Sequence, residues 1–433
     1  MPTGFNQNDT PSYVNPADYA KQQAEGKKKD KLEREESSWR RGLRRMDESD
    51  AYELNEDALA NASKFSKFLD EERHILRVKV VSLSVALVVV LALSLCVTVN
   101  YYKLIAPDEV LGCIALWFQV QFTNLFTTEI PLNTSQIMEL QPYYYEVTAR
   151  FSISVLTALC GGMLAVAGAL YQNVFKNPIA APTMLGVQSG VNVGLVVLVL
   201  LFNESALYMT GARYALCYGG SILVLLVVLG AGRLISGGRN FNVVNMLLIG
   251  SVISQMTGLF ITYATSYMMG DEAYEVYFEL QEQLSVDASG VSWIAVIVVL
   301  VIAAIPIVLF NFSLNALSFT DDDSRLLGVN PNVLRIVSLV SGSLMVTAAM
   351  VYSGQVAMVS LLIPHLSRFL FGAEFKKQML GSALLGALLL LVCRDISALI
   401  PFVDAGLPIG TVVSLVTLPF FVWMLAVQQR SWE

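Results

Sequence analysis

Residues 168–190 read GALYQNVFKNPIAAPTMLGVQSG and lie between two strongly apolar runs, MLAVA before them and LVVLVLLF after them. Unpaired backbone groups are not tolerated against lipid, so a broken helix at this point must face protein or a water-filled cavity. Asn177 and Pro178 form a helix-start pair, with asparagine as the cap and proline at the first position. The stretch therefore predicts that one helix ends at Lys176 and Asn177 and that another begins at Pro178. A simple hairpin between two membrane spans is the alternative.

Composition places this stretch in a membrane protein. The chain has 433 residues, of which 55% are hydrophobic. Apolar runs of about 18 to 25 residues recur from Val78 to the C-terminus, which is long enough for a helix to cross a bilayer. The sequence predicts an all-α polytopic membrane protein with about ten transmembrane helices. The predicted spans are 78–99, 148–170, 184–202, 212–234, 243–268, 292–314, 334–351, 355–371, 379–400 and 407–427.

The distribution of lysine and arginine predicts the orientation of these spans. With the N-terminus inside, the inner loops carry most of the basic residues of the spanning region, which is the usual bias. The even number of spans then places both termini in the cytoplasm. Segment 110–122 is apolar but short and follows Asp108 and Glu109, so we expect an outer interfacial or re-entrant helix there.

Residues 1–74 form a polar tail that precedes the predicted transmembrane domain, residues 75–433. The tail contains nearly half of all charged side chains and no apolar run, so it does not predict a cleaved signal peptide. Its composition is typical of disorder. Alternatively, Trp39, Leu43 and Met46 share a helical face flanked by arginines, which indicates a helix on the inner leaflet.

Several function classes receive no support from the sequence. The net charge of −7 and its distribution do not indicate nucleic-acid binding. The five cysteines have no CxxC spacing, and His74 and His365 lack a carboxylate at ligand spacing, so neither a metal site nor a catalytic site is predicted. An intramembrane hydrolase would need a nucleophile with a base, and no such set is present.

Several motifs in the same order carry a resemblance to a known family. Residues 168–190 resemble the signature between the second and third spans of the FecCD family, the permeases of type II ABC importers for ferric siderophores, haem and cobalamin. The other matching segments are LIGS at 248–251, NALSFTDDDSRLLGVN at 315–330, AMVSLLIPHLSRFLFG at 357–372 and LPIGTVVSLVTLPFFVWML at 407–425. Together they cover about residues 75–430, and chance similarity of apolar sequence would not reproduce their polar residues.

The resemblance implies a transport subunit that is not itself an enzyme. Its expected partners are a second permease subunit, identical or paralogous, a pair of cytoplasmic ATPases and an extracellular solute-binding protein. This chain lacks a GxxxxGK[ST] phosphate loop, so ATP and magnesium are expected on the ATPase and no cofactor on this chain. The expected location is the bacterial plasma (inner) membrane. The expected cargo is a ferric siderophore, with haem and cobalamin left open.

The alternative function is ion-coupled secondary transport of a small metabolite. Such a transporter normally has acidic or basic residues at mid-membrane depth. The central parts of the predicted spans have no such residues. Arg394 and Asp395 lie within the ninth span, but near its end.

The resemblance also implies roles for individual residues. The inner gate is expected at Asn177, Pro178, Ile179, Val243 and Val244. Pathway-lining residues are expected in the opening stretch and mainly in the fifth span, namely Gln172, Ser251, Ser254, Gln255, Thr262 and Thr265. For each serine and threonine alone, a hydrogen bond within its own helix or to a neighbouring helix is the alternative.

The contact with the ATPase is expected in the inner loop 315–333. There Thr320 can cap a short helix whose first turn begins at Asp321, while Arg325, Leu326 and Leu327 form its last turn. Gly328 is suited to end the helix, and Asn330 with Pro331 can start the next one. A rigid, doubly capped helix is suited to force transmission.

The predicted outer loop 269–291 is acidic. It contains Asp271, Glu272, Glu275, Glu279, Glu282 and Asp287 and no basic residue. Because opposite electrostatic fields favour docking, the sequence predicts a solute-binding protein whose docking lobes carry lysine or arginine. The alternative is that these carboxylates only solvate an outer loop.

Overall fold

The computed structural model describes residues 48–96, 105–126, 143–235, 243–282, 290–356, 358–399 and 407–430. Every regular element in these ranges is a helix, which confirms the predicted all-α class. The α-helices are α1 Glu48–Cys96, α2 Pro107–Phe126, α3 Tyr144–Phe175, α4 Val187–Phe202, α5 Thr210–Ile235, α6 Val243–Tyr263, α7 Asp271–Glu282, α8 Gly290–Leu309, α9 Asn311–Ala316, α10 Asp321–Leu326, α11 Pro331–Ser353, α12 Met358–Phe371, α13 Phe375–Leu399 and α14 Ile409–Arg430. Short turns of 3-10 helix, Pro182–Leu185 and Asn203–Leu207, follow α3 and α4, and a π-helical turn, Ala264–Met268, follows α6.

Seven described helices are long and apolar enough to cross a membrane. They are Asp70–Cys96, Tyr144–Phe175, Val187–Leu207, Thr210–Ile235, Asn245–Met268, Pro331–Ser353 and Phe375–Leu399. Three further apolar stretches, Trp293–Leu309 in α8, Met358–Phe371 in α12 and Ile409–Val422 in α14, are shorter over the residues whose side chains are described. Each predicted span coincides with one of these helices, so the chain is a polytopic membrane protein. The number of crossings and the cytoplasmic placement of the termini stay predictions.

Helix α3 forms the centre of the helical body. Of its most apolar stretch, 78% is buried, and the helix packs against α11, α12 and α13. A Cβ atom at Gly161 would lie 2.3 Å from the Gly386 carbonyl oxygen of α13, and one at Gly168 would lie 1.8 Å from the Ser360 carbonyl oxygen of α12. Glycine at these positions therefore allows the helix backbones to approach closely, which is a common way to pack helices in membranes.

Helix α2 contains the predicted segment 110–122 and is longer than the sequence indicated, with 20 residues. The part of it whose side chains the structure describes, residues 107–119, is too short to qualify as a membrane span. A second apolar cluster joins it to the neighbouring helices through Leu95, Ile105, Val110, Cys113, Tyr144 and Val147. Its interfacial or re-entrant position stays a prediction.

The chain divides into two compact units, Met1–Arg77 and Val78–Glu433. Within the first unit the structure describes residues 48–77, which are helical throughout. The predicted amphipathic face of Trp39, Leu43 and Met46 lies outside the described residues. The second unit contains the candidate site.

Candidate functional site

The opening stretch forms a turn between α3 and a 3-10 helix. Helix α3 ends at Phe175, and Lys176 takes a left-handed conformation with φ 49°. The Asn177 side chain accepts a hydrogen bond from the Ile179 amide at 3.0 Å, and the Asn177 carbonyl accepts one from the Ala180 amide at 3.1 Å. The predicted helix start at Pro178 is therefore wrong. A helix from this point would need an N–H on Pro182, which proline lacks, so helical structure begins at Pro182 itself.

Helix α10 has the caps that the sequence predicts. The Thr320 hydroxyl accepts a hydrogen bond from the Asp323 amide at 3.3 Å, and three aspartates occupy the first turn. Gly328 has a φ of +78°, a left-handed conformation that favours glycine. Asn330 then caps α11 by accepting a hydrogen bond from the Asn332 amide at 3.1 Å. The predicted doubly capped short helix is confirmed.

The Asp321 junction consists of Lys176, Asp321 and Arg335, and it joins the end of α3 to α10 and α11. The Arg335 guanidinium donates to both Asp321 carboxylate oxygens, from Nη1 at 3.0 Å and from Nη2 at 2.6 Å. Lys176 Nζ lies 3.6 Å from Asp321 Oδ1. The hydrogen bonds from Arg335, together with both positive charges, hold the pKa of Asp321 below its ordinary value despite partial burial. The carboxylate is therefore ionised at neutral pH and holds three segments together.

Neighbouring hydrogen bonds strengthen this connection. The Asn173 amide nitrogen on α3 donates to the Leu314 carbonyl oxygen at 2.9 Å. The Ser318 hydroxyl donates to the Asn173 side-chain oxygen at 3.2 Å, and Lys176 Nζ donates to the Phe319 carbonyl oxygen. The last turn of α3 is thus bound to the chain on both sides of Ser318. A displacement of α10 would therefore be transmitted directly to the opening stretch.

The segment that contains α10 exposes large apolar side chains. Leu326 is 86% exposed, Leu327 is 62% exposed and the preceding Phe319 is 56% exposed. Arg325 is also half-exposed and lies 3.9 Å from Asp322. Such a compact apolar group beside charged residues is typical of a protein-protein contact.

The structure brings the opening stretch against α6, the predicted fifth span. A Cβ atom at Gly250 would lie 2.5 Å from the Met184 carbonyl oxygen, so only glycine lets α6 approach the 3-10 turn at this distance. Of the predicted gate residues, Asn177 and Ile179 are exposed in the turn. Val243 and Val244 begin α6, but their side chains lie outside the described residues.

The predicted lining hydroxyls of α6 donate hydrogen bonds within their own helix. Ser251 bonds the Leu248 carbonyl at 2.8 Å, Ser254 the Gly250 carbonyl at 2.8 Å, Thr262 the Gly258 carbonyl at 3.0 Å and Thr265 the Ile261 carbonyl at 2.9 Å. This is the alternative that the sequence left open for each of them. Ser251, Gln255 and Thr262 are nevertheless exposed and share one face of the helix.

Gln172 lies apart from this face. Its side chain is 1% exposed, and its amide nitrogen donates to the Leu361 carbonyl at 2.9 Å. It lines a cavity of about 280 Å³ beside the Asp321 junction, together with Asn173, Lys176, Ser318, Arg368, Ala373, Phe375 and Gln378. The structure therefore groups Gln172 with the residues beside the Asp321 junction and not with α6.

A larger cavity was not predicted from the sequence. It has a volume of about 430 Å³ and is lined by Gln188, Gln281, Gln355, Pro408, Gly410, Thr411 and Ser414. We call it the glutamine cavity. Its residues come from four separate segments, and none has a local pattern that marks a site. Only the position of Gln188 inside the opening stretch could have drawn attention to it.

Two pairs of charged side chains lie near helix ends. Arg394 Nη1 lies 2.9 Å from Asp395 Oδ1, which also accepts a hydrogen bond from the Ser94 hydroxyl at 2.8 Å. Near the start of α3, Arg150 Nη2 lies 3.1 Å from Glu146 Oε1. These pairs compensate charges that would otherwise be costly to bury in a membrane.

The histidine on α12 has no metal-ligand set around it. His365 follows Pro364, which lies inside the helix. Among the described residues, no three histidine, cysteine, aspartate or glutamate side chains are placed to hold a metal ion.

Comparisons with known proteins agree with these motifs. A model of the FecCD transport family matches residues 115–427. The "Probable iron chelatin transport system permease protein" of Helicobacter pylori is 31% identical over 294 residues, covering 68% of this chain and 85% of the relative. The "Fe(3+) dicitrate transport system permease protein FecC" of Escherichia coli is 32% identical over 282 residues, covering 64% of this chain and 81% of the relative. A solved structure described as an inward-facing conformation of a metal-chelate type ABC transporter has a TM-score of 0.56 and 25% identity, covering 74% of this chain and 99% of the other. The chain belongs to the FecCD transport family.

Proposed function

We propose that this chain is the permease subunit of an ATP-driven importer that moves a metal chelate inward across a bacterial plasma membrane. The chelate is a ferric siderophore or a chelate of the haem or cobalamin type. Membership of the FecCD transport family supports this proposal, as do the chelate importers named among the relatives. The observation that carries it is the Asp321 junction, where two family motifs meet in one ionic contact.

Helix α10 is the proposed docking element for the ATPase. Its exposed Leu326 and Leu327 supply apolar contacts, and its caps keep it rigid under load. Movement of the ATPase would displace α10, and Asp321 would transfer that displacement to Lys176 and the last turn of α3. The proposed inner gate at Asn177, Pro178 and Ile179 directly follows this turn and would respond first.

A second permease subunit is proposed to face α6. Only 11% of the apolar stretch of α6 is buried within one chain, compared with 78% for α3. Ser251, Gln255 and Thr262 are exposed on this helix, and polar side chains facing lipid are unfavourable. A pathway between two permease subunits would hydrate these groups, while neighbouring apolar residues such as Leu248 and Met256 would contact the partner or lipid.

ATP hydrolysis is assigned to the partner ATPase pair. The chain has no phosphate-binding loop of the GxxxxGK[ST] type, so ATP and magnesium are proposed to bind the partner and no cofactor to bind this chain. An extracellular solute-binding protein is proposed to deliver the chelate. The bias of lysine and arginine toward the α10 side supports the cytoplasmic placement of that end.

Reconstitution tests the proposed function. The permease is co-purified with its ATPase, placed in proteoliposomes and supplied with the solute-binding protein, and ATP hydrolysis is measured with a ferric siderophore, haem and cobalamin in turn. Stimulation by one ligand type, with uptake of that ligand, is expected. The proposal fails if no chelate is taken up in an ATP-dependent manner.

Ion-coupled transport of a small metabolite is the alternative, and the same vesicles decide it. Uptake that follows a proton or sodium gradient without ATP would favour this alternative. The Arg394–Asp395 pair is the nearest candidate for ion coupling, but it lies at the last turns of α13 and is already hydrogen-bonded to Ser94.

A further inference from the structure

The glutamine cavity is built by segments that are distant along the chain. Gln188 lies in the first turn of α4, Gln281 near the end of α7, and Gln355 between α11 and α12. The first turns of α14 contribute Thr411 and Ser414. The volume of about 430 Å³ falls within the range of about 300–1,000 Å³ that is typical of small-molecule sites.

All three glutamine side chains of the described lining take part in hydrogen bonds with the protein. The Gln188 amide nitrogen donates to the Gln355 side-chain oxygen at 3.0 Å. The Gln281 amide nitrogen donates to the Tyr277 hydroxyl at 2.8 Å. A Cβ atom at Gly410 would lie 2.4 Å from the Gln355 carbonyl oxygen, so the start of α14 fits closely against the Gln355 backbone. The cavity wall is therefore preformed.

Hydrogen-bonding groups remain available for a ligand. Among the described residues, the structure shows no partner for the Gln188 side-chain oxygen or for the Gln355 amide nitrogen, and both residues are half-buried. Thr411 adds an exposed hydroxyl. The cavity thus presents both donors and acceptors, which suits amide, hydroxamate and hydroxyl groups of a ligand.

None of the described residues that line the cavity carries a charge. A carboxylate that enters such a cavity loses its hydration without gaining an ionic partner, which is costly in a protein interior. A neutral polar group loses less hydration and can regain hydrogen bonds from the amides. The lining therefore discriminates by charge.

We propose that the glutamine cavity binds metal chelates whose outer surface is uncharged and bears amide, hydroxamate or hydroxyl groups. Chelates with free carboxylates bind weakly there. The inference rests on the proposed function and narrows its substrate class. Gln188 and Gln355 are its specificity-determining residues.

Direct binding measures this preference. The permease–ATPase complex is placed in lipid nanodiscs without solute-binding protein, so that the preference measured is that of the permease. The probes are a ferric trihydroxamate, in which the hydroxamate charges balance the ferric ion, and ferric dicitrate, which carries net negative charge. The trihydroxamate is expected to bind at least about tenfold more tightly than ferric dicitrate.

Substitutions connect the preference to the cavity. Gln188→Leu and Gln355→Leu should each weaken trihydroxamate binding by about tenfold, because each removes hydrogen bonds in a half-buried site. Gln355→Arg should strengthen dicitrate binding and reverse the preference, because it supplies the missing positive charge. This gain of binding distinguishes a specific site from simple damage to the fold.

Two threonines provide a matched control. Thr411→Val removes a hydroxyl that lines the cavity and should weaken trihydroxamate binding. Thr257→Val makes the same change on α6, where the hydroxyl bonds the Ile253 carbonyl at 2.9 Å and is not part of the lining, and binding should be unchanged.

Three results would overturn the inference: equal binding of the two chelates, equal effects of Thr411→Val and Thr257→Val, or no change in preference with Gln355→Arg. A second measurement, ATP-driven uptake in the presence of the solute-binding protein, distinguishes failure of this inference from failure of the proposed function. If uptake of a chelate persists while the cavity variants have no effect on binding, only the substrate inference fails. If no chelate is taken up, the proposed function itself fails.

Discussion

At the scale of single residues, Asp321 joins three separate segments, the end of α3, α10 and α11. Its side chain is 33% exposed, whereas that of its partner Arg335 is 5% exposed. A buried guanidinium needs an ionic partner, and Asp321 supplies one for Arg335. The neighbouring Asp322 is 91% exposed and lies 3.9 Å from Arg325, which makes it an internal comparison on the same helix.

Replacing Asp321 should therefore affect both stability and transport. Asp321→Asn leaves the Arg335 guanidinium without its ionic partner, and the expected loss in free energy of unfolding is about 1–2 kcal/mol, reduced because the carboxylate is partly exposed. ATP-driven uptake should also fall. Asp322→Asn removes the same charge from an exposed position. It should change the free energy of unfolding, measured in detergent, by less than about 0.5 kcal/mol. Equal effects of the two variants would contradict the role of the junction.

Acidification should remove the stabilisation that the Asp321 carboxylate provides. Because the folded-state pKa of Asp321 is lowered by Arg335 and Lys176, its stabilisation is complete above the unfolded-state pKa and is lost as pH falls through the folded-state pKa. The difference in unfolding free energy between the wild type and Asp321→Asn should stay constant from pH 7 to about 4 and narrow below about 4. A difference that grows on acidification would show that another group determines the stability of this region.

At the scale of elements, α10 combines internal rigidity with an exposed apolar surface. Its capping interactions are local, since Thr320, Asp323 and Gly328 lie within nine residues of one another. Its attachment to α3 is not local, because Lys176 and Phe319 are 143 positions apart. The helix is therefore formed by its own sequence and positioned by distant contacts.

Disrupting the exposed surface of α10 should uncouple transport from the ATPase. The double variant Arg325→Glu with Leu326→Asp keeps both caps but introduces negative charge into the proposed contact. Docking should weaken by about thirtyfold or more, which is the scale of losing an interface hot spot. Uptake should be abolished, while membrane insertion and dimer formation, measured by size-exclusion chromatography, should remain.

Lys376→Glu provides the control for this variant, because it reverses an exposed charge outside α10. It should retain uptake. Normal uptake by the double variant would show that α10 does not couple the ATPase to transport.

Helix α7 gives the predicted acidic loop a defined shape. Ala273, Val276, Tyr277 and Leu280 are buried, whereas the acidic residues of its first two turns, Asp271, Glu272 and Glu275, are exposed. Burial of one face orients the carboxylates away from the body. Glu282 ends the helix, its side chain lies outside the described residues, and Asp287 lies outside them altogether.

This acidic face should govern the encounter with the solute-binding protein. Neutralising Asp271, Glu272 and Glu275 to the corresponding amides should slow association by about tenfold at low salt, because the charges steer a basic docking surface. The wild-type rate should fall as salt rises toward physiological strength. Glu374→Gln, on the segment whose Phe375 amide bonds Asn315, should leave the rate unchanged. A wild-type rate that is flat or rises with salt would refute the proposed polarity.

At the scale of the whole molecule, the N-terminal tail should be separable from the permease body. Deletion of residues 1–70 removes part of the first compact unit and leaves the apolar part of α1 intact. The remaining chain should fold, co-purify with the ATPase and retain at least partial uptake. Failure to co-purify, with normal membrane insertion, would show that the tail takes part in assembly.

The sequence alone determined the helical membrane class, the positions of the apolar helices and the capped form of α10. These features depend on apolar run length and on short-range hydrogen bonds, and both are properties of neighbouring residues. The same local reasoning failed at Pro178, because the missing N–H of Pro182 prevents the helix that the Asn-Pro pair favours.

Only the tertiary structure decided which distant side chains meet. The Asp321 junction and the glutamine cavity join residues with no local relationship, as shown by Gln188 and Gln355, which are 167 positions apart. The Asp321 junction involves α3, whose close packing against α13 and α12 is allowed by Gly161 and Gly168. At the glutamine cavity, Gly410 allows the start of α14 to approach the Gln355 backbone. Local sequence patterns specify helices, but the contacts between helices depend on the packing of all of them at once, and for that reason the site emerged only from the fold.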